Sequence, residues 1–336
     1  MRIRIPLIVL VLCLALVLFV PTPRAQDPAP AAPPPPPAGP MVGLSLIVTD
    51  KDNKAVTSIR KDQVRVLEDG VEQTVLGVEA DERPVDYVIV FDASGSTKRF
   101  LLAVLDAAKL LIQNRRPEDQ VAIVRFVNSD TIEKVHEFSS DVTALLKDLD
   151  SSAYVSGGQS AVVDALYLST QYVAEQNKAN DARRKAVVVI TDGEDRSSYY
   201  TQEKLVKLLR ETGAQVFLVG LVIDLDQQGS IARLSPRQKA EKLLNTVAEE
   251  SGGRVFYPTD KKELVEATTQ IILDLRAQFR IKYQSTQDAS KKGFRKVDVK
   301  FVPAQGDEKR NFVTPPGYFV GPPTPADKKS EKKKKS

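Results

Sequence analysis

Three short polar segments hold the residue types that could do chemistry. They are Asp92-Ala-Ser94-Gly-Ser96, Gly157-Gly158-Gln159-Ser160 and Thr191-Asp192-Gly193-Glu194-Asp195. Together they offer carboxylate and hydroxyl oxygens and neither nitrogen nor sulfur. That donor set suits a hard divalent cation, Mg²⁺ or Mn²⁺, and matches zinc poorly. Asp92 and Asp192 would balance the charge of one dication. Held by Asp92, Ser94, Ser96, Ser160 and Asp192, the ion would stay electrophilic enough to take an acidic group from a partner. Gly95, Gly157 and Gly158 would let the loops approach it closely, and Gly193 fits a sharp turn out of a strand.

A simpler local reading competes with this one. Asp92 and Ser94 would cap the helix that follows, and Asp192 would cap a turn. Capping accounts for each segment separately. It does not account for all three meeting in one place, which is where the flanking sequence puts them.

The elements that must position these segments are apolar runs of the kind a sheet buried on both faces requires: residues 85–91, 120–126, 185–190 and 214–222. Helical spacing separates them, with Leu101, Leu105, Ala108 and Ile112 on one face. Val162, Ala165, Leu166, Ser169 and Val173 mark a second helix, and Leu205, Leu208 and Leu209 a shorter third. The pattern predicts an α/β fold with a doubly wound, mostly parallel sheet, extended by an edge strand at 131–138, a helix at 236–250, a strand at 254–257 and a helix at 261–277. In such a sheet the loops at the carboxyl ends of the strands converge at a switch point. Two of the polar segments directly follow buried strands, and the third opens a helix.

On either side the period becomes that of antiparallel sheet. Val42, Leu44, Leu46 and Val48 alternate, as do Val64 and Val66, and Asp69-Gly70 reads as a hairpin turn into one strand over 71–78. Alternation returns at Phe279, Ile281 and Tyr283, then at Val297, Val299 and Phe301, then around Phe312 and Val313. Each flank is too short to fold readily by itself, so residues 41–84 and 278–320 are expected to pair into one β-sandwich into which 85–277 is inserted.

The segment Asp92-x-Ser94-x-Ser96 after a buried strand, a hydroxyl after Gly157-Gly158, and Thr191-Asp192-Gly193 together resemble the metal-ion-dependent adhesion site of von Willebrand factor A domains. The resemblance covers about residues 85–277. Val64-Arg-Val-Leu-Glu-Asp-Gly70 and Pro315-Pro-Gly-Tyr-Phe319 look like a bacterial exported subgroup called VWFA-related. The resemblance implies that Ser94 and Ser96 coordinate the metal directly, while Asp92 and Asp192 act mainly through water or as acceptors behind the ligands. Ser160 stands where the family usually has threonine. Glu194 and Asp195 would tune the site, hold a second cation, or belong to a solvated loop.

Composition narrows the classes that remain. The formal charge is +4, but the last fifteen residues hold six lysines against Asp327 and Glu331 and supply the whole excess. Residues 27–321 are slightly acidic, which argues against a nucleic-acid partner. The N-terminus has Arg2 and Arg4, an apolar run from Ile5 to Val20 and the small residue Ala25, the pattern of an export signal at 1–25. Cleavage after Ala25 and retention as an anchor both stand, and retention would be the chain's one route to a membrane. The expected location is therefore the periplasm, the cell envelope or outside the cell. Residues 26–40, with Pro33 to Pro37 consecutive, read as an extended proline-rich linker, and 321–336 as a disordered lysine-rich tail. Cys13, the sole cysteine, falls within the leader, so a cleaved chain has no thiol chemistry.

The single histidine, His136, falls in the expected edge strand, so Ser-His catalysis lacks a base at the site and no enzyme is expected. An aspartate-nucleophile phosphohydrolase would want a second acid two residues after Asp92, where this chain has Ser94. The main reading is an exported binding or adhesion module whose partner, a protein or other ligand, offers a carboxylate. A cell-envelope scaffold with a vestigial metal site is the rival.

Overall fold

Uninterrupted apolar runs set the centre of the molecule, and alternating runs set its flank. The computed structural model describes residues 39–154, 157–176, 182–226, 228 and 234–321. The expected leader, nearly all of the proline-rich linker and the tail after Gly321 lie outside the described residues. In chain order the first strands are β1 (Met41–Thr49), β2 (Val64–Glu68), β3 (Val71–Gln73) and β4 (Val75–Ala80). Next come β5 (Val85–Asp92), α1 (Leu101–Gln113), β6 (Gln120–Asn128), β7 (Thr131–Ser139), α2 (Val142–Ser151) and α3 (Val162–Gln176). They are followed by β8 (Arg184–Thr191), α4 (Gln202–Thr212), β9 (Gln215–Gly220), α5 (Pro236–Ser251), β10 (Val255–Phe256) and α6 (Lys261–Arg276). The last strands are β11 (Gln278–Gln284), β12 (Gly293–Phe301), β13 (Asn311–Val313) and β14 (Gly317–Val320).

The central sheet has the order β10-β9-β8-β5-β6-β7, parallel except for β7, which runs antiparallel to β6 at the edge. All eight residues of β5 are buried because helices cover both faces. On one face Tyr87, Ile89 and Phe91 pack with Leu105, Leu111 and Ile271 from α1 and α6. On the other, Val88 and Val90 pack with Leu166, Leu209 and Leu244 from α3, α4 and α5. Strand order runs outward in opposite directions from β5 and β8, so the switch point lies between these two strands.

The flanks form two antiparallel sheets, β13-β1-β11-β4 and β14-β12-β2-β3. Leu44, Leu46, Ile281 and Tyr283 of the first share one apolar cluster with Val66, Val297 and Val299 of the second. The Asp69-Gly70 turn has positive φ at both residues (47° and 83°), as a tight hairpin of this twist requires. The expectation of a single strand over 71–78 is corrected. After Gln73 the chain leaves β2 and enters the other sheet, so that β4 pairs with β11. Val75 and Val78 then pack in the sandwich core, whereas Val71 before the crossing is exposed.

The sandwich core also encloses charge. Glu68, fully buried, accepts from Tyr283 Oη (2.8 Å), Tyr318 Oη (3.1 Å), Ser285 Oγ (2.7 Å) and Arg295 Nη1 (3.1 Å). This network ties residues of the two sheets together. Among the described residues no helix is long and apolar enough to cross a membrane.

Candidate functional site

Asp92 is the last residue of β5, and Thr191 the last of the adjacent β8, whose register pairs Ile190 with Phe91. A carboxylate at the end of a fully buried strand must find donors, because burial without them is costly. Asp92 finds three. Its Oδ1 accepts from Ser94 N at 2.9 Å, and its Oδ2 accepts from Ser160 Oγ at 3.1 Å and Thr191 Oγ1 at 2.8 Å. One side chain therefore joins all three polar segments.

The first segment turns out of β5 into a 3-10 helix over Gly95–Phe100 before α1 begins. Thr97 fixes that turn, its buried hydroxyl donating to Asp92 O and Ser94 O, each at 3.0 Å. Ser94 precedes the 3-10 helix but its side chain makes no capping bond. Its hydroxyl instead lies 3.1 Å from that of Ser96. Simple capping thus fails to account for the two serines.

Asp192 follows β8. Its Oδ1 accepts from Glu194 N at 3.0 Å, the local turn that capping would predict. Its Oδ2 is buried and makes no hydrogen bond. Gly193 makes the turn with φ of 79°, and a Cβ there would lie 3.0 Å from both Ala240 Cβ and Leu244 Cδ1 of α5. Of the other glycines expected to serve the site, Gly158 is needed against Val127, whose Cγ1 would lie 2.7 Å from an added Cβ. Gly95 and Gly157 face open space.

Two carboxylates held out of water near each other resist ionisation. Burial, with Asp192 nearby, pushes Asp92 up to about 6. Burial likewise raises Asp192, opposed by the Ser96 hydroxyl and the Glu194 amide. Asp92, Ser94, Ser160 and Asp192 are all buried, while Ser96 is exposed at the mouth. The residues present fit a hard dication. They supply only oxygen, the two buried carboxylates form no salt bridge among the described residues, and Asp192 Oδ2 makes no hydrogen bond.

Ser160 is held by more than its side chain, since its carbonyl accepts from Arg196 N (2.9 Å) and Ser197 N (3.2 Å). Asp195 accepts from Val163 N in the first turn of α3 and from Ser198 Oγ, so it fastens the third segment to the helix opened by the second. Glu194 pairs with Arg196 at 2.6 Å. His136 lies in β7 as expected, 2.7 Å from Asp148 of α2, and takes no part in the site. Sequence reasoning did not single out Thr191 and Thr97 as contributors. Thr191 could have been found from its place beside Asp192 at a strand end, whereas nothing in the sequence marks Thr97.

The von Willebrand factor type A domain model matches residues 86–270, more than half of the chain. No curated protein matches the sequence. Among solved structures, the conserved hypothetical protein BatB from Bacteroides thetaiotaomicron is 18% identical with a TM-score of 0.43, covering 56% of this chain and 98% of that one. A von Willebrand factor type A protein from Catenulispora acidiphila is 13% identical with a TM-score of 0.47, covering 76% and 75%. The pilus adhesin SpaC from Lactobacillus rhamnosus GG, in its open conformation, is 9% identical with a TM-score of 0.46, covering 80% and 49%. From the family match and the doubly wound sheet that carries it, the chain belongs to the von Willebrand factor type A domain family.

Proposed function

We propose that this protein is an exported, metal-dependent binding module of the VWFA-related subgroup. In this reading Asp92, Ser94, Ser96, Ser160 and Asp192 hold one Mg²⁺ or Mn²⁺ as a metal-ion-dependent adhesion site. The single observation that carries it is the buried, unpartnered Oδ2 of Asp192 beside a second buried carboxylate. When bound, the ion supplies a Lewis-acidic position that takes a carboxylate from the partner. Asp92 orients Ser94, Ser160 and Thr191 around itself, Thr97 fixes the turn, and exposed Ser96 sits where a partner can reach. The work is binding rather than catalysis, since the site has no histidine or lysine to move a proton. Export rests on the pattern of residues 1–25, and the cell envelope or its exterior is the corresponding location.

Thermal melting tests this without a known partner. The protein should melt higher in millimolar Mg²⁺ or Mn²⁺ than in chelator, and Asp92→Ala should abolish the difference, because an ion that binds the fold must stabilise it. Identical curves in metal and chelator would favour the scaffold reading instead.

A further inference from the structure

The opposite end of the central sheet holds a second polar concavity. A cavity of about 270 Å³ lies at the amino ends of β8 and β9, bounded by β1 and β14. Its wall includes Arg83, Arg183, Arg184, Lys185 and Arg210 against one acid, Glu211. A wall so rich in cations is stable where each has a counter-charge, and three arginines do. Arg83 pairs with Asp81 at 2.6 Å, Arg183 Nε with Asp86 at 2.8 Å, and Arg210 with Glu250 at 2.6 Å. Lys185 Nζ donates to Thr212 O, at the end of α4, at 3.2 Å.

Arg184 differs from the others. Its side chain is buried, with the residue only 5% exposed, and its Nε and Nη2 donate to the carbonyls of Arg83 and Leu275. Its Nη1 makes no hydrogen bond, and no carboxylate among the described residues bonds to it. The nearby acids are already engaged. Asp81 pairs with Arg83, and Asp119 accepts from Val85 N and Arg116 N. Burial pushes Arg184 down to about 10; attraction by Asp81 opposes this, and repulsion by Arg83 and Arg116 adds to it. A buried guanidinium with an unsatisfied N–H and no carboxylate bonded to it is unfavourable, and an oxyanion relieves it best because it accepts N–H donors directly.

We propose that this cavity is an anion-binding site, separate from the metal site, in which Arg184 anchors the carboxylate or phosphate group of a small ligand. Lys185 and Arg210 add field from the walls. Glu211 refines the choice, because its Oε1, 3.9 Å from Lys207 Nζ, makes no hydrogen bond. A ligand carrying an O–H or N–H beside its anionic group satisfies both Arg184 and Glu211. Arg184 also bonds the carbonyls of Arg83, just before β5, and of Leu275, near the end of α6. An anion bound to it therefore sits where the chain passes between the sandwich and the central sheet.

Calorimetric titration of the whole protein with inorganic phosphate and with acetate tests the site. Chelator removes any metal contribution, and chloride holds ionic strength constant. Saturable binding of at least one probe is expected, and Arg184→Gln should weaken it about 10- to 100-fold, the loss of one charge-assisted hydrogen bond. Tighter binding of phosphate, which keeps an O–H near neutral pH, would mark a phosphate-bearing ligand that also engages Glu211. Comparable binding of acetate would mark a carboxylate held by the cations alone. Should Arg184→Gln fail to fold, Lys185→Met leaves the Arg184 hydrogen bonds in place, gives up the bond to Thr212 O, and should still weaken binding several-fold by removing one charge. Absence of saturable binding by both probes, or unchanged affinity in the variants, would overturn the proposal.

Discussion

Thr191 Oγ1 donates to Asp92 Oδ2 at 2.8 Å, joining the last residues of β8 and β5 at the switch point. The same oxygen takes Ser160 Oγ at 3.1 Å. Asp92 thus accepts three hydrogen bonds and links the three segments, while Asp192 keeps one buried oxygen without a hydrogen bond. The two carboxylates differ in role because their donors differ.

Thr191 therefore acts as a positioning residue. Thr191→Val keeps the shape and removes the donor, and it is expected to weaken Mn²⁺ binding about 10- to 100-fold, as loss of a hydrogen bond behind a ligand does. Thr191→Ser restores the hydroxyl and should recover most of the affinity. Paramagnetic resonance of free Mn²⁺ measures both. A valine variant that binds like the natural protein would contradict the role.

The raised pKa of Asp92 makes a pH prediction. The folded protein holds this proton more tightly than the unfolded chain, with a pKa of about 6 against an ordinary 3.8. The linked stability is full below the unfolded value and is lost as pH rises through about 6, by roughly 3 kcal/mol for a shift of about two units. In chelator, the protein should lose stability relative to Asp92→Asn between about pH 4 and pH 7. Mg²⁺ at pH 7.5 should restore the loss in the natural protein alone. Melting across pH with both proteins checks this.

Gly193 is fixed by its backbone and by α5. Gly193→Ala should destabilise the fold by about 1–3 kcal/mol, since positive φ and a 3.0 Å approach to Ala240 and Leu244 both oppose a side chain. Gly95→Ala, which meets open space, should stay within about 0.5 kcal/mol. Urea denaturation separates the two.

The buried pair in the sandwich gives an independent check. Arg295→Met leaves Glu68 charged and buried, which should cost about 3–5 kcal/mol. The rise in melting temperature with metal should survive, because the pair lies in the sandwich and not at the strand ends where the metal is proposed to bind. Melting with and without Mn²⁺ reads both effects.

The central sheet was legible because burial on both faces leaves a signature in nearly every residue of β5, β6, β8 and β9. The three polar segments were legible for a related reason, since two of them follow those strands directly. Other features depend on pairing partners that no local pattern encodes. Residues 71–78 read as one strand yet serve two sheets, because at Thr74 the chain exchanges β2 for β11 as its neighbour. Helix α2, by contrast, was legible but absent from the expected elements: Val142, Leu145, Leu146 and Leu149 fall at helical spacing behind the cap Asp141. The bond from Thr191 to Asp92 needs the register of β5 against β8, and the counter-charge that Arg184 lacks needs the whole tertiary structure.

One divalent cation is proposed to bind between Asp92 and Asp192. The most direct test is titration of the protein with Mn²⁺ at pH 7.5, followed by paramagnetic resonance, for the natural sequence and for Asp192→Asn. One Mn²⁺ per chain is expected in the natural protein, with loss of that binding in the variant. No bound Mn²⁺ at millimolar concentration, or the same stoichiometry and affinity in both proteins, would contradict it.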